Sequence, residues 1–307
     1  MAEPEVRRLP DLGRVGVWTG GAPWQSPGRN AELAAEVEEL GYGAVWLGEG
    51  MTRDPFLDAD AMLRATSRLT LATGIAIIAL RQPWAVNSLT ARLADAHPDR
   101  FLLGLGTSNA AVVRDLLGLP FDKPLTAMRD YLAGLDAARA AMAAMGIDAV
   151  GPRQPRVLSA LGPKMLALAA SHAEGTHPYL VPPEHTELAR QTLGPGPLVA
   201  PEQAVVLSTD PAVVRRRARA HVGSYLARSA YPTNWLRLGF TEEDLADGGS
   251  DRLVDAVVVG GDAETIRRRV QAHLDAGADH VCIQALGDDP MAIDVDQWRE
   301  LAPALLS

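Results

Sequence analysis

Residues Arg100 to Asn109 constrain this chain more than any other stretch. A charged residue opens the run, Phe101, Leu102, Leu103 and Leu105 follow with Gly104 and Gly106 among them, and Thr107, Ser108 and Asn109 close it. That is a buried strand whose C-terminal end needs close backbone approach. The pattern recurs along the chain, each time followed by a helix. Strands are predicted over 15–18, 44–47, 69–78, 101–105, 157–160, 175–180, 204–207 and 280–284, with a short apolar run at 257–259. Helices are predicted over 31–40, 59–67, 87–96, 125–145, 165–173, 183–193, 262–276 and 298–306, with one more opened by Asp210 and Pro211. Asn30 and Asp262 are the expected caps of two of them. Alternation at this spacing predicts an α/β chain, a (β/α)8 TIM-like barrel with insertions in the loops at the C-terminal face, as one domain over 1–307. A doubly wound sheet fits less well. No Gly-x-Gly-x-x-Gly follows the first strand, and no linker divides the chain.

Composition narrows the function. The chain has 307 residues, 47% of them hydrophobic, so a large core is available. Its 29 basic and 38 acidic residues give a formal charge of -9, and no long basic patch appears. Nucleic acid is therefore excluded as a partner, and an anionic ligand needs local help from helix N-termini. The one cysteine, Cys282, lies in a strand pattern and reads as a core thiol. Met1 to Arg14 is charged and has no apolar run, and no segment approaches membrane-spanning length, so a cytoplasmic enzyme is expected.

In a barrel of this type chemistry gathers where strands end. Glu49 lies between Gly48 and Gly50, either as a solvated loop carboxylate or as a pocket acid. Thr107, Ser108 and Asn109 either hold a planar heterocycle or form a turn and helix cap. His177, before Pro178 and Tyr179, either moves a proton near neutrality or is structural. Leu161, Gly162, Pro163 and Lys164 form a turn into a helix, where free N–H groups, the helix dipole and a lysine converge. That is a phosphate cradle, or simply a helix start. Trp18 and Trp24 offer apolar walls, and Trp46 either joins them or points into the core. Arg215, Arg216, Arg217 and Arg219 read as a solvated helix face. No His-x-x-x-His spacing or carboxylate cluster indicates a metal.

Glu36 to Trp46, Ala72 to Ile75, Arg100 to Gly106, Ala160 to Met165 and Ala276 to Cys282, in this order, resemble the bacterial luciferase-like superfamily. Within it the chain is most similar to deazaflavin-dependent oxidoreductases of actinobacteria. The resemblance covers nearly the whole chain. It implies a barrel, often dimeric, that binds coenzyme F420 or FMN at its C-terminal face. It implies a non-proline cis peptide at Gly74-Ile75, forming a bulge behind the cofactor ring with Ala76 and Gly106 beside it. It also implies phosphate contacts at Leu161, Gly162 and Lys164.

The chain departs from that pattern at three positions. Gly50, beside Glu49, stands where some relatives carry a histidine. Asn109 stands where they carry glutamate or histidine. Ala76-Ile-Ile78 replaces Ala-Asn-Ile. An amide at Asn109 orients a substrate but is no practical acid at neutral pH. The expected function is hydride transfer between F420 and a small organic molecule, with Glu49 or His177 as proton donor. An FMN-dependent monooxygenase and a barrel that binds without turnover are the alternatives.

Overall fold

The computed structural model describes residues 6–50, 53–146, 151–289 and 291–307. Of the charged stretch read over 1–14, residues 1–5 lie outside the described residues. Ten strands form one sheet: β1 (Val15–Thr19), β2 (Ala44–Gly48), β3 (Thr70–Ile77), β4 (Phe101–Gly106), β5 (Arg156–Leu158), β6 (Gly175–Thr176), β7 (Leu198–Val199), β8 (Glu202–Leu207), β9 (Val258–Gly261) and β10 (Val281–Ala285). Their order is β7-β6-β5-β4-β3-β2-β1-β10-β8-β9, and every pairing is parallel.

β7 and β8 are two halves of one run interrupted at Ala200 and Pro201. On one side that run bonds to the end of β6, through Ala200 N–H to Thr176 O and Glu202 N–H to Pro178 O. On the other it takes Asp279 N–H at Val199 O and Cys282 N–H at Pro201 O. The ladder thus passes from β6 to β10 and the sheet curls round on itself, as the strand–helix alternation predicts. β9 adds to the upper half of β8.

Strand side chains alternate between two cores. Trp46, Ala72, Leu102, Val157, Ala200 and Cys282 meet inside the curl. Val17, Val45, Leu71, Leu103, Leu158, Val205 and Ile283 pack outward against the helices.

The helices are α1 (Pro27–Leu40), α2 (Pro55–Arg64), α3 (Pro83–Ala96), α4 (Pro124–Ala144), α5 (Pro163–His172), α6 (Pro183–Leu193), α7 (Pro211–Leu226), α8 (Ala230–Arg237), α9 (Glu242–Leu245), α10 (Asp251–Val257), α11 (Ala263–Asp275) and α12 (Val295–Leu305). Each of the first seven starts with proline. Proline's missing N–H costs nothing there and its fixed φ favours the first turn. Several helices accordingly begin one turn earlier than their apolar spacing predicts. Ser26, not Asn30, caps α1 by accepting from Arg29 N–H at 3.2 Å. Asn30 is buried within α1 and donates to Ala22 O at 3.0 Å. Asp210 and Asp262 do cap α7 and α11. The β4–α4 loop carries a π turn at Ala111–Leu116, and α7 to α10 fill the connection from β8 to β9. Among the described residues no helix is long and apolar enough to cross a membrane.

Candidate active site

The most irregular backbone in the sheet lies at the end of β3. Its register on β2 moves from Leu47↔Thr73 to Gly48↔Ile75, and on β4 from Ala72↔Leu102 to Ala76↔Leu105. One extra residue is thus accommodated around Gly74, a bulge of the kind that turns backbone toward a site. Side chains replace the lost rungs. Thr73 Oγ1 donates to Gly104 O at 2.7 Å and accepts from Gly104 N–H at 2.8 Å. Glu49 Oε2 accepts from Ile77 N–H at 2.5 Å. The structure corrects one expectation: there is no cis peptide bond among the described residues, and Gly74-Ile75 is trans. The extra residue and its side-chain rungs produce the protrusion.

Trp18 covers the bulge from the centre of the mouth. A Cβ on Gly74 would fall 2.5 Å from Trp18 Nε1, and one on Gly48 2.8 Å from the far edge of the same indole. Only glycine admits such contact. Trp18 Nε1 is buried and has no hydrogen-bond partner among the described residues. Ile75, partly exposed, leans over Gly106, where a Cβ would lie 2.3 Å from Ile75 Cδ1. Trp18, Gly74, Ile75 and Gly106 therefore form one surface, whereas Ala76, expected beside the ring, is buried and packs outward in the helix-side core. Thr107, Ser108 and Asn109 border it. Ser108 adopts a left-handed conformation with φ 59°, and Asn109 Oδ1 accepts from Val112 N–H at 3.2 Å, as a helix cap does.

Gly162 precedes α5 with no side-chain cap on the helix. Lys164 is exposed beside it. Arg237, at the end of α8, brings Nη1 to 3.1 Å from where a Gly162 Cβ would lie. Neither cation has an ion pair among the described residues. Uncapped N–H groups and two free cations suit an anionic group. The arginines of α7 are engaged elsewhere. Arg215 pairs with Asp251 and Asp255, Arg216 and Arg217 with Asp288, and Arg219 with Asp251.

Neither group singled out by its sequence position as a proton donor is free. Glu49's side chain is 1% exposed and its Oε1 pairs with Arg81 at 2.6 Å. Burial pushes its carboxyl up, against the pull of Arg81 and of Ile77 N–H. Burial also acts against the charge of Arg81, but Glu49 and Asp54 outweigh it and the guanidinium stays charged. His177 is inside the curl, not at its mouth. It is fully buried, stacked on Trp46 at 4.1 Å, and joined through Nδ1 to Ala200 O at 2.7 Å. Burial lowers its pKa to about 4. The imidazole is thus neutral, with Nδ1–H donating, so the expectation that it supplies a proton to the mouth is corrected. Trp46, left open between wall and core, belongs to the core. Its Nε1–H donates to His280 Nε2 at 3.1 Å.

Sequence reasoning placed Tyr179 at a strand end but did not join it to Tyr225 and His221, with which it forms a polar aromatic cluster packed on Trp18. Tyr179, after β6, packs on Trp18 at 5.0 Å and donates its hydroxyl to Gln284 Oε1 at 2.6 Å. Tyr225 Oη donates to Tyr179 Oη at 3.0 Å, and His221 Nε2 lies 3.4 Å from the same oxygen. Burial raises Tyr179 well above the usual phenol range and lowers His221 to about 4. Beneath them Glu202 is fully buried on β8. Its Oε2 accepts from Leu180 N–H at 2.9 Å, and its Oε1 has no partner among the described residues. Two signals were available. His221 and Tyr225 are four apart on one helix, and Glu202 puts a carboxylate into an apolar strand.

The family described as luciferase-like monooxygenase matches residues 11–280. A candidate coenzyme F420-dependent oxidoreductase of Mycobacterium tuberculosis is 26% identical over 89% of this chain and 94% of its own. Among solved structures, an F420-dependent secondary alcohol dehydrogenase bound to an F420-acetone adduct superposes with TM-score 0.71 at 16% identity, over 96% of this chain and 99% of that one. The oxygenating constituent of 3,6-diketocamphane monooxygenase from Pseudomonas putida, in complex with FMN, gives 0.66 at 16%, over 95% and 96%. At such identity the superpositions establish the fold alone.

Proposed function

Because the chain belongs to the luciferase-like monooxygenase family, we propose that it is an oxidoreductase seating a tricyclic cofactor on the β3 bulge, F420 by preference, and acting on a small organic substrate. We read 1–307 as one catalytic unit and the enzyme as a homodimer. The observation that carries the reading is the placement of two features on consecutive strand ends. The Trp18–Gly74–Ile75–Gly106 surface suits a flat ring, and the uncapped start of α5, with Lys164 and Arg237, suits a phosphate.

When bound, the reduced cofactor supplies the hydride. The chain's own residues do the rest. Trp18 and Ile75 would orient the ring and exclude water. Gly162, Lys164 and Arg237 hold the phosphate. The Asn109 amide nitrogen, which makes no hydrogen bond among the described residues, orients the substrate. The proton step falls to the Tyr225–Tyr179–His221 cluster, where phenol protons are held at Oη in hydrogen-bonding contact with a neutral imidazole.

One observation favours FMN as the second reading. F420 carries a long acidic tail that calls for several free cations, and the four arginines of α7 are already paired with aspartates. Native mass spectrometry of protein from an F420-producing host, followed by absorbance titration with pure F420 and FMN, tests both. A bound mass matching F420 supports the first reading, and one matching FMN supports the second. No uptake of either overturns the redox assignment.

A further inference from the structure

We propose that Glu49 is a positioning residue: with Arg81 it forms a latch that holds the β3 bulge in the shape that seats the cofactor ring. This rests on the cofactor reading above and assigns Glu49 a role other than proton donor.

The argument starts from the ladder. β2 ends at Gly48, opposite Ile75. The next β3 amide used on that side, Ile77 N–H, has no β2 carbonyl left to take it. An unpaired amide there would be expensive in a buried setting. Glu49, one residue beyond β2, supplies the acceptor from its side chain at 2.5 Å. A carboxylate thus stands in for one more rung of main chain.

That rung is anchored by charge. Glu49 Oε1 pairs with Arg81 Nη2 at 2.6 Å. Arg81 Nε and Nη2 both donate to Asp54 Oδ2, at 3.0 and 2.8 Å. Asp54 in turn caps α2 through Phe56 N–H at 2.9 Å. The guanidinium lies over the Phe56 ring at 5.3 Å, and Tyr131 of α4 donates to Arg81 O at 2.9 Å. The loops after β2 and β3 and two helices are therefore tied at one point. With its side chain only 1% exposed, the Glu49 carboxyl is shielded from a substrate and from water, so holding the backbone is what its geometry allows.

The consequence falls on the bulge. Thr73 fixes its entry through Gly104. Glu49 fixes its exit at Ile77. Between them Gly74, Ile75 and Ala76 have no other tie on the β2 side than Gly48↔Ile75. Release of the exit frees Ile75 to leave Gly106, and Gly74 to leave Trp18.

The test uses Glu49→Gln, Arg81→Met and Arg81→Lys in the full chain, with three readouts. These are amide exchange over residues 74–80 without cofactor, melting temperature, and titration with F420 and FMN followed by absorbance. Loss of a charge-assisted hydrogen bond predicts that Glu49→Gln weakens cofactor binding about 10- to 100-fold. It should also shift the bound absorption band and speed exchange at Ile77. Arg81→Met should match it, and Arg81→Lys should recover most of the affinity lost in Arg81→Met. If the melting temperature drops while affinity, band and exchange stay at wild-type values, Glu49 is merely structural and the proposal is wrong. If Glu49→Gln does not fold, the Arg81 pair decides by the same criteria. Wild-type protein that takes up neither cofactor overturns the cofactor reading and this inference with it. Wild-type uptake matched by Glu49→Gln overturns the inference alone.

Discussion

Glu202→Gln should make the protein more stable at neutral pH and remove a pH dependence that the wild type carries. Glu202 is fully buried, and burial raises its carboxyl from the ordinary 4.5 to about 8, with the Leu180 N–H hydrogen bond opposing. A carboxyl with a raised folded pKa binds its proton more tightly in the folded state. Its stability contribution is whole below pH 4.5 and drains as the pH rises, because the unfolded chain releases the proton first. The loss levels off above about pH 8, where the folded state ionises too. At pH 7 about 2.5 units of this have accrued, which at 1.4 kcal/mol per unit is about 3 kcal/mol. Glutamine keeps a carbonyl for Leu180 N–H and puts a neutral amide where Oε1 has no partner, so near pH 4 the two proteins should be almost equally stable. For 307 residues, 3 kcal/mol corresponds to about 5 °C in melting temperature. Urea titrations and calorimetry of both proteins from pH 4 to pH 9 measure the gap. It should open between pH 4.5 and pH 8. Parallel stability curves across that range would refute the assignment of a neutral Glu202.

Buried histidines act at the other end of the scale. His177, His221 and His280 are lowered to about 4 and His273 to about 3, chiefly by burial, so each is neutral when folded and their stabilisation is lost as pH falls from about 6.5. Melting temperature should therefore fall steeply from pH 6 to pH 4, and a flat profile there would contradict it. Gly104→Ala places a methyl 1.9 Å from Thr73 O and should cost about 3 kcal/mol or more in urea unfolding. Lys164→Ala and Arg237→Ala should each weaken F420 or FMN binding about 10-fold and reduce its salt dependence, measured by titration at two ionic strengths.

The strand ends were legible because the barrel requires apolar runs that stop at glycine or a small polar residue. Phe101 to Gly106 and Val15 to Thr19 obey that rule closely. Helix starts were legible where Asp210 or Asp262 precedes the helix, and misread at Asn30, where Ser26 followed by Pro27 carries the stronger signal. The start of β8 was missed because Glu202 and Gln203 look exposed by type, and both are buried. In the candidate site, Gly162 drew notice as a tight turn into a helix and Trp18 as an apolar wall at a strand end, while Gly74 came only from the family resemblance. Arg81, Arg237 and Tyr225 were not legible, because their roles depend on partners 32, 75 and 46 residues away in Glu49, Gly162 and Tyr179. A single sequence does not specify such pairings.

The placement of charge explains why the mouth would orient a long ligand one way. Inside the curl, His177 and His280 are neutral and Glu202 keeps its proton at pH 7, so the floor beneath Trp18 contributes little field. On the β2–β3 side Arg81 is shared by Glu49 and Asp54, which leaves that corner without free positive charge. Beyond β5, Lys164 and Arg237 flank the uncapped end of α5. A ligand with an anionic end and a flat, less charged end therefore has one favourable direction. On the reading proposed above, its phosphate would lie toward α5 and its ring on the bulge. The reverse would put the anion beside two carboxylates and leave two cations unpaired. Exchanging the charge at Lys164 and Arg237 for glutamate should abolish this polarity without touching the ring surface. Cofactor affinity would then fall by more than the two alanine variants together. An effect no larger than theirs would mean that the phosphate lies elsewhere.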